Sequence, residues 1–375
     1  MISEPDNHAS ILLMGQTPPP WHGQSVATQL LFDHDWPQHD VNRLRMAYSD
    51  EMEQVGRFSF KKITHLFSLI IEARRILKKN DQAILFYPPA SANWLPFIRD
   101  FIFLSAVRPL AKSTIFIYHA RGLAAFTQRS LIGRWMARKA YQGADVSLEV
   151  SEEEISPHQV FQAKHFSWCP CGVDVPDQVK PPRCEKGPIT AIFVGSLQEG
   201  KGVMNVLKTA SVLKSQGLAK SFRFRIIGKW FSEAFEIEVR SFLKENQLED
   251  MVELTGELTG DDKWDAYFTA DVFFFPTHYQ SEATPIVLME ALGTGLPIIT
   301  TQWAGIPAML KGCDSAQVLP INSADLYADA LLKLIDRKFD PSSIAVNSTA
   351  FYRKHFLPER FIERVSKAFD ISAAT

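Results

Sequence analysis

Glu282-Ala283-Thr284-Pro285-Ile286-Val287-Leu288-Met289-Glu290-Ala291-Leu292-Gly293-Thr294-Gly295-Leu296-Pro297 is the stretch on which the fold is read. It follows one short run of β-formers, Val272–Phe275, and leads into another, Pro297–Thr301. Between them Val287, Leu288, Ala291 and Leu292 recur at the spacing of one buried helical stripe, and Pro285 suits a first helical turn. Strand, helix and strand in this order are the unit of a parallel α/β layer. Glu290 falls roughly 7 Å along the axis from the helix start, at about 1.5 Å per residue, on a face shared with Ile286 and Gly293. A carboxylate there can accept from two vicinal hydroxyls, while free N–H groups near Ala283–Ile286 face an anion. Ribose plus phosphate fits that geometry. The plainer reading is a surface glutamate on an amphipathic helix.

Working outward, the same alternation runs through both halves of the chain. Strands are expected at Ser10–Met14, Asn42–Met46, Ala83–Tyr87, Thr114–Tyr118 and Val146–Val150, with helices over Gln24–Phe32, Phe60–Lys79 and Leu123–Tyr141. Residues 176–188 are polar and proline-rich and have no period, which reads as a linker. The alternation then restarts with strands at Thr190–Val194, Phe222–Ile227 and Val252–Thr255. At the end, Phe361, Ile362, Val365 and Phe369 share one helical face. The expected organisation is a Rossmann-like domain over 1–175, a linker over 176–188, a second such domain over 189–355 and a C-terminal helix over 356–375, which crosses back to the first domain. In two doubly wound units a ligand sits beyond the carboxyl ends of the strands, in the cleft between the domains.

Val194-Gly195-Ser196-Leu197-Gln198-Glu199-Gly200-Lys201-Gly202 ends one of these strands and opens a helix. Glycines let backbone approach a ligand closely, the helix start favours an anion, and Lys201 adds a full charge. A phosphate or diphosphate is the expected tenant. The run nearly matches the P-loop pattern, but Gly202 stands where a magnesium-binding hydroxyl belongs. A plain glycine-rich turn with a solvated lysine is the remaining reading.

Taken together, these segments resemble the retaining GT-B glycosyltransferases of family 4 (glycosyl transferases group 1). Glu282 to Glu290 resembles the family's E-x7-E signature, and Val194-Gly195-Ser196-Leu197 with Lys201-Gly202 its V-G-R-L…K-G motif. Pro170-Cys171-Gly172-Val173-Asp174 is similar to its P-N-G-V-D, and Gly15, Pro18-Pro19 and Gly23 to its N-terminal glycine-rich loop. The similarity runs from about residue 11 to 310, with the motifs in family order.

The resemblance implies two Rossmann-like domains facing a cleft and a nucleotide-sugar donor bound by the second. It implies that Glu290 holds the donor ribose and that Glu282, with the backbone of Ala283, Thr284, Pro285 and Ile286, holds the donor sugar or its phosphate. Lys201, beside Gly195 and Ser196, would pair with the diphosphate. Gly228 and Leu254–Leu258 would lie near the base, Gly23 near the donor, and His119 beside the reacting sugar. The sequence departs from the pattern at Ser196, where the family has an arginine; losing such a contact typically costs about 2–4 kcal/mol of transition-state stabilisation. Arg121 is the candidate substitute. Gln24, Cys171 and Ala308 are further departures, standing where a glycine, an asparagine and an acidic residue are usual.

Composition fits this reading: 375 residues, 46% hydrophobic and 22% charged, with a net charge of −2 that gives no reason to expect nucleic acid. The acidic start and the short apolar run Ile11–Met14 suit no secretory signal, so a cytoplasmic protein is expected. Four cysteines (Cys169, Cys171, Cys184 and Cys313) are too few and too irregularly spaced for a disulfide framework. Asp33-His34-Asp35 satisfies a metal-binding D-x-D but falls away from the donor motifs, and it reads as a solvated loop. No metal and no cofactor beyond the nucleotide-sugar co-substrate are expected.

Residues 57–79 carry seven Lys or Arg against the single acid Glu72, interleaved with Phe60, Ile63, Leu66, Phe67, Ile70 and Ile71. Residues 94–107 are unusually apolar. Both could lie on the cytoplasmic face of an anionic membrane if the acceptor is lipid-linked, or be ordinary layer helices. The sequence therefore leads to a hexosyltransferase-type enzyme. It would move a sugar with retention from a UDP- or GDP-linked donor to a glycan or lipid-linked glycan hydroxyl, as in polysaccharide biosynthesis. A degenerate, non-catalytic homologue, a sugar-nucleotide epimerase and a P-loop-like NTPase stay open beside it.

Overall fold

The computed structural model describes residues 8–19, 23–46, 60–178, 187–280, 282–335 and 341–375. The chain divides into two compact units, residues 1–172 with 358–375, and residues 173–357. The division falls between Gly172 and Val173, three residues before the expected boundary, and the C-terminal helix is grouped with the first unit. Residues 179–186 of the expected linker lie outside the described residues.

The first unit runs β1 (Ala9–Gly15), α1 (Gly23–Asp33), β2 (His39–Arg45), α2 (Phe60–Leu77), β3 (Ile84–Tyr87) and α3 (Trp94–Val107). It continues with β4 (Ser113–Tyr118), α4 (Leu123–Gln128), α5 (Leu131–Tyr141), β5 (Val146–Glu149), α6 (Pro157–Val160) and β6 (His165–Trp168). The second unit runs β7 (Ile189–Val194), α7 (Val203–Ser215), β8 (Phe222–Ile227), α8 (Glu233–Glu245), β9 (Val252–Gly256), α9 (Gly260–Thr269) and β10 (Val272–Phe275). After these come α10 (Ile286–Gly293), β11 (Ile298–Thr301), α11 (Ile306–Met309), β12 (Ala316–Leu319), α12 (Ala324–Leu332) and α13 (Pro341–His355). The last helix, α14 (Pro358–Ala374), belongs to the first unit.

Each unit is a six-stranded parallel sheet with helices on its faces, the GT-B arrangement. In the first the order is β2-β1-β3-β4-β5-β6. Side chains alternate across the strands, so Leu85 and Tyr87 enter the core built with α2, α3 and α5. Phe86 turns the other way, where Phe369 of α14 packs on it at 5.8 Å and on Trp36 at 4.8 Å. Asp100 of α3 is fully buried and accepts from Tyr87 Oη at 2.8 Å, Tyr141 Oη at 3.0 Å and the Ala90 amide at 2.6 Å. These bonds fix α3 to the loop after β3.

The expected single helix over Leu123–Tyr141 is two helices. Ser130 takes an extended backbone and its Oγ accepts the Gly133 amide at 3.0 Å, an N-cap that starts α5 afresh. Edge strands β6 and β12 went unread in the sequence, because their four residues have half-exposed patterns with no clear alternation.

Candidate active site

In the second unit the order is β12-β11-β10-β7-β8-β9. The winding reverses between β7 and β10, which pair at Val272 with Ala191 and Phe273 with Ile192. Loops leaving their carboxyl ends therefore diverge, and the crevice between such loops is where doubly wound sheets bind ligands. One loop is Gly195–Gly202 and the other begins at Pro276.

Hydrogen bonds tie the first loop, and the helix α7 that it opens, to the second loop. The His278 amide donates to the Gly200 carbonyl at 2.6 Å, and Asn205 Nδ2 donates to the Pro276 carbonyl at 3.1 Å. Gly202 has φ +98°, and a Cβ there would stand 2.3 Å from the Pro276 oxygen. Neither the serine nor the threonine of a P-loop fits that position, which removes the structural basis of the NTPase reading. Gly228 is equally constrained: a Cβ on it would fall 1.8 Å from the Gly195 carbonyl oxygen.

Lys201 reaches from the first loop to Glu282 on the second and forms an ion pair with Glu282 Oε1. Its ammonium also lies 4.5 Å from the Tyr279 ring centroid, within cation–π range. Thr277 Oγ1 stands 3.4 Å from the same carboxylate oxygen, and the Gly305 amide donates to the Glu282 carbonyl at 3.2 Å. The pair thus bridges the switch point, with the Glu282 carboxylate buried. Ala283 and Thr284 are half-buried and lead to α10. Pro285 is the residue before that helix (φ −60°, ψ 121°) rather than part of its first turn, and no side chain caps Ile286 or the turn it opens.

Glu290 is only 6% exposed, so the surface-glutamate reading is wrong. Lys263 Nζ donates to its Oε1 at 2.6 Å and Tyr267 Oη to its Oε2 at 2.8 Å. Both donors sit one turn apart on α9 and present one edge to the carboxylate. Burial, and then the Glu290 charge, push the Tyr267 phenol well above its ordinary range, so it stays a donor. Sequence reading missed Lys263 and Tyr267, since nothing in the linear pattern ties α9 to α10. Ser196 carries no charge into the site and accepts from Gln198 Nε2 at 2.8 Å.

The remaining expected residues belong to the first unit. His119 follows β4, with its Nδ1 3.7 Å from Cys171 Sγ. Burial pushes the Cys171 thiol up to about 12, so the ring faces a neutral thiol. Arg121 donates from Nη1 to the Glu152 carbonyl at 2.9 Å. The Gly122 amide donates to Glu153 Oε2 at 2.8 Å; burial raises that carboxyl, while this amide and Arg121 work against the rise. Gly23 opens α1. Asp33 of the D-x-D run accepts from Gln29 Nε2 at 2.7 Å. Among the described residues no three His, Cys, Asp or Glu side chains come together as a metal set.

Residues 174–349 match the family described as Glycosyl transferases group 1. The putative colanic acid biosynthesis glycosyltransferase WcaL of Escherichia coli K12 is 30% identical over 189 residues, 49% of this chain and 45% of WcaL. The amylovoran biosynthesis glycosyltransferase AmsK of Erwinia amylovora is 28% identical over 173 residues, 45% of this chain and 41% of AmsK. The chain thus spans less than half the length of these curated relatives. Among solved structures, Anabaena HepE in complex with UDP superposes with a TM-score of 0.68 at 11% identity, covering 96% of this chain and 99% of HepE. A Rickettsia africae glycosyltransferase gives 0.70 at 12%, covering 98% and 99%. At such identities the structures speak for the fold. The chain has the GT-B fold, and its residues 174–349 are similar to the glycosyl transferases group 1 family.

Proposed function

We propose that this chain is a retaining, metal-independent glycosyltransferase of the hexosyl type, moving a sugar from a UDP- or GDP-linked donor to a hydroxyl of a glycan or lipid-linked glycan. The observation that carries this is the Lys201–Glu282 pair across the β7/β10 switch point, beside the uncapped start of α10. An ammonium and free helix amides together suit a diphosphate, and they supply the charge stabilisation otherwise assigned to a divalent ion. The UDP in the HepE complex and the polysaccharide pathways named for WcaL and AmsK support the same reading.

In this account Glu290 accepts from the ribose hydroxyls, its carboxylate held in place by Lys263 and Tyr267. Lys201 turns from Glu282 toward the diphosphate as the donor enters, and stabilises the charge that builds on the leaving nucleotide. Glu282, released from Lys201, and the backbone that follows hold the sugar. His119, steadied by Cys171, contacts the reacting sugar. The departing phosphate takes the acceptor proton on the same face, so no side chain acts as nucleophile. Arg121 replaces the charge missing at Ser196. Peripheral membrane contact through α2 and residues 94–107 would bring a lipid-linked acceptor to the first unit, on the cytoplasmic side.

The test is donor turnover without acceptor. With EDTA present, a panel of UDP- and GDP-sugars should give slow nucleotide release, with the freed sugar appearing first as the donor's own anomer by NMR. Appearance of the opposite anomer first would overturn retention, and a metal requirement would overturn the electrostatic assignment.

A further inference from the structure

Three neighbouring helices on one face of the first unit carry apolar side chains outward as well as inward. α2 presents Ile63, Phe67 and Ile71, four residues apart, the last 61% exposed. α3 exposes Ile98 and Ile102, while its first residue Trp94 packs on Phe126 of α4 at 5.2 Å. α5 is the most open: Leu131 is 76% exposed and Trp135 56%, with Ile132 between them. The faces are continuous, because Trp135 meets Phe101 of α3 at 5.4 Å and Arg74 of α2 donates to the Ala106 carbonyl of α3. A layer helix needs one apolar stripe to cover its sheet, and a second stripe on three adjacent helices leaves a patch that folding does not explain.

The charge around the patch is predominantly positive. Arg129, Arg134, Arg138 and Lys139 are exposed on or beside α5, and no acid occurs between Arg129 and Gly143. On α3 the acid is Asp100, fully buried among its hydrogen bonds, and from Ile63 to Lys79 the only acid is Glu72. Exposed Leu, Ile and Trp flanked by Arg and Lys match the boundary between anionic headgroups and acyl chains. No helix among the described residues is long and apolar enough to cross a membrane, so contact through this patch is peripheral. The start of α3 lies toward the carboxyl end of the sheet, where His119 follows β4: a Cβ on Gly122 would stand 3.6 Å from that of Ala92, two residues before Trp94.

We propose that α5, with the outer faces of α2 and α3, docks on an anionic lipid bilayer and seats its Leu131-Ile132-Trp135 turn at the headgroup–acyl boundary. The purpose of that docking rests on the reading of a lipid-linked acceptor, but the docking itself is measurable without any sugar or nucleotide. Failure of the transferase reading therefore leaves this result unaffected.

The experiment is sedimentation of the full chain with vesicles of phosphatidylcholine alone or mixed with phosphatidylglycerol. Binding is expected to the mixed vesicles only, weakening with salt, with a blue shift of tryptophan emission. Leu131→Ser and the pair Arg134→Glu with Arg138→Glu should each weaken it by about tenfold or more. Ile237→Ser, at an exposed side chain on α8, should leave it unchanged. All these side chains are exposed, and unchanged melting temperatures would show that the variants fold. The proposal is overturned if the wild type ignores anionic vesicles, or if Leu131→Ser and the charge reversals bind as well as it does. A dimer that Leu131→Ser dissolves, with no vesicle binding, would assign the patch to a second copy instead.

Discussion

Tyr267 donates its hydroxyl to Glu290 Oε2 at 2.8 Å while Lys263, one turn earlier on the same helix, donates to Oε1 at 2.6 Å. The carboxylate assigned to the ribose is thus positioned by α9 before any ligand arrives, and preorganisation of this kind lowers the cost of binding. Tyr267→Phe removes one charge-assisted bond and should cost about 2 kcal/mol of stability. Lys263→Met leaves a buried carboxylate without its cation and should cost about 3 kcal/mol, most of it recovered in Lys263→Met with Glu290→Gln. Urea unfolding of the wild type, Lys263→Met, Glu290→Gln and the double variant measures the coupling. Additive costs would show that the pair does not act as one unit.

Gly202 separates two kinds of glycine strain. At Gly217, φ is +77° and nothing would meet a Cβ within 4 Å, so Gly217→Ala should cost only the left-handed backbone penalty of about 1 kcal/mol. Gly202→Ala adds a collision with the Pro276 carbonyl and should cost at least about 3 kcal/mol, or prevent folding of the second unit. Thermal unfolding of both variants tests the contrast. Equal costs would mean that the loops are not locked together at Gly202.

Lys201 and Ser196 should set the preference for diphosphate. Lys201→Gln removes the positive charge and should bring the affinities for UDP and UMP, or for GDP and GMP, within about threefold of each other. Ser196→Arg restores the family's second cation and should tighten diphosphate binding by about tenfold. Calorimetric titration measures both. An arginine without effect would place the diphosphate away from Ser196.

The fold of the first unit should be sensitive to acid through His39. Burial lowers the imidazole below its ordinary 6.5, and Asp370 of α14, 3.5 Å from Nε2, only partly opposes it. Between the lowered value and 6.5 the unfolded chain binds a proton that the folded chain refuses, so stability falls as pH drops through that window. Glu149 has the opposite sign: burial raises its carboxyl, and its contribution is lost as pH rises through the raised value. His39→Phe should therefore flatten the loss of stability as pH falls below about 6.5 in urea titrations. An unchanged slope would assign the loss to other groups.

Much of this architecture was readable because a buried parallel sheet writes itself as short apolar runs. The expected runs Phe222–Ile227 and Val272–Phe275 are the observed strands, and Ala83–Tyr87 begins one residue before the observed Ile84–Tyr87. The cap at Ser130 was not read, because the apolar period of α4 and α5 continues across it. β6 and β12 escaped for a related reason: an edge strand is paired on one side only, and its sequence need not be apolar. In the site, Lys201, Glu282 and Glu290 were visible as motif residues. Their neighbours were not: Lys263 reaches Glu290 only because the topology sets α9 beside α10, and Cys171 reaches His119 across 52 residues of chain.

The central claim, a nucleoside diphosphate held by Lys201 and Glu290, is tested most directly by a metal-free thermal-shift titration with UDP, GDP, ADP and UMP. The wild type and Glu290→Gln are compared. A ligand at a hundred times its dissociation constant should stabilise by about 2.7 kcal/mol. The account predicts a shift with UDP or GDP, little with UMP, and none in Glu290→Gln. No shift with any nucleotide would contradict it and leave a GT-B fold that has lost its donor site, and an equal shift in Glu290→Gln would contradict it by placing the nucleotide away from Glu290.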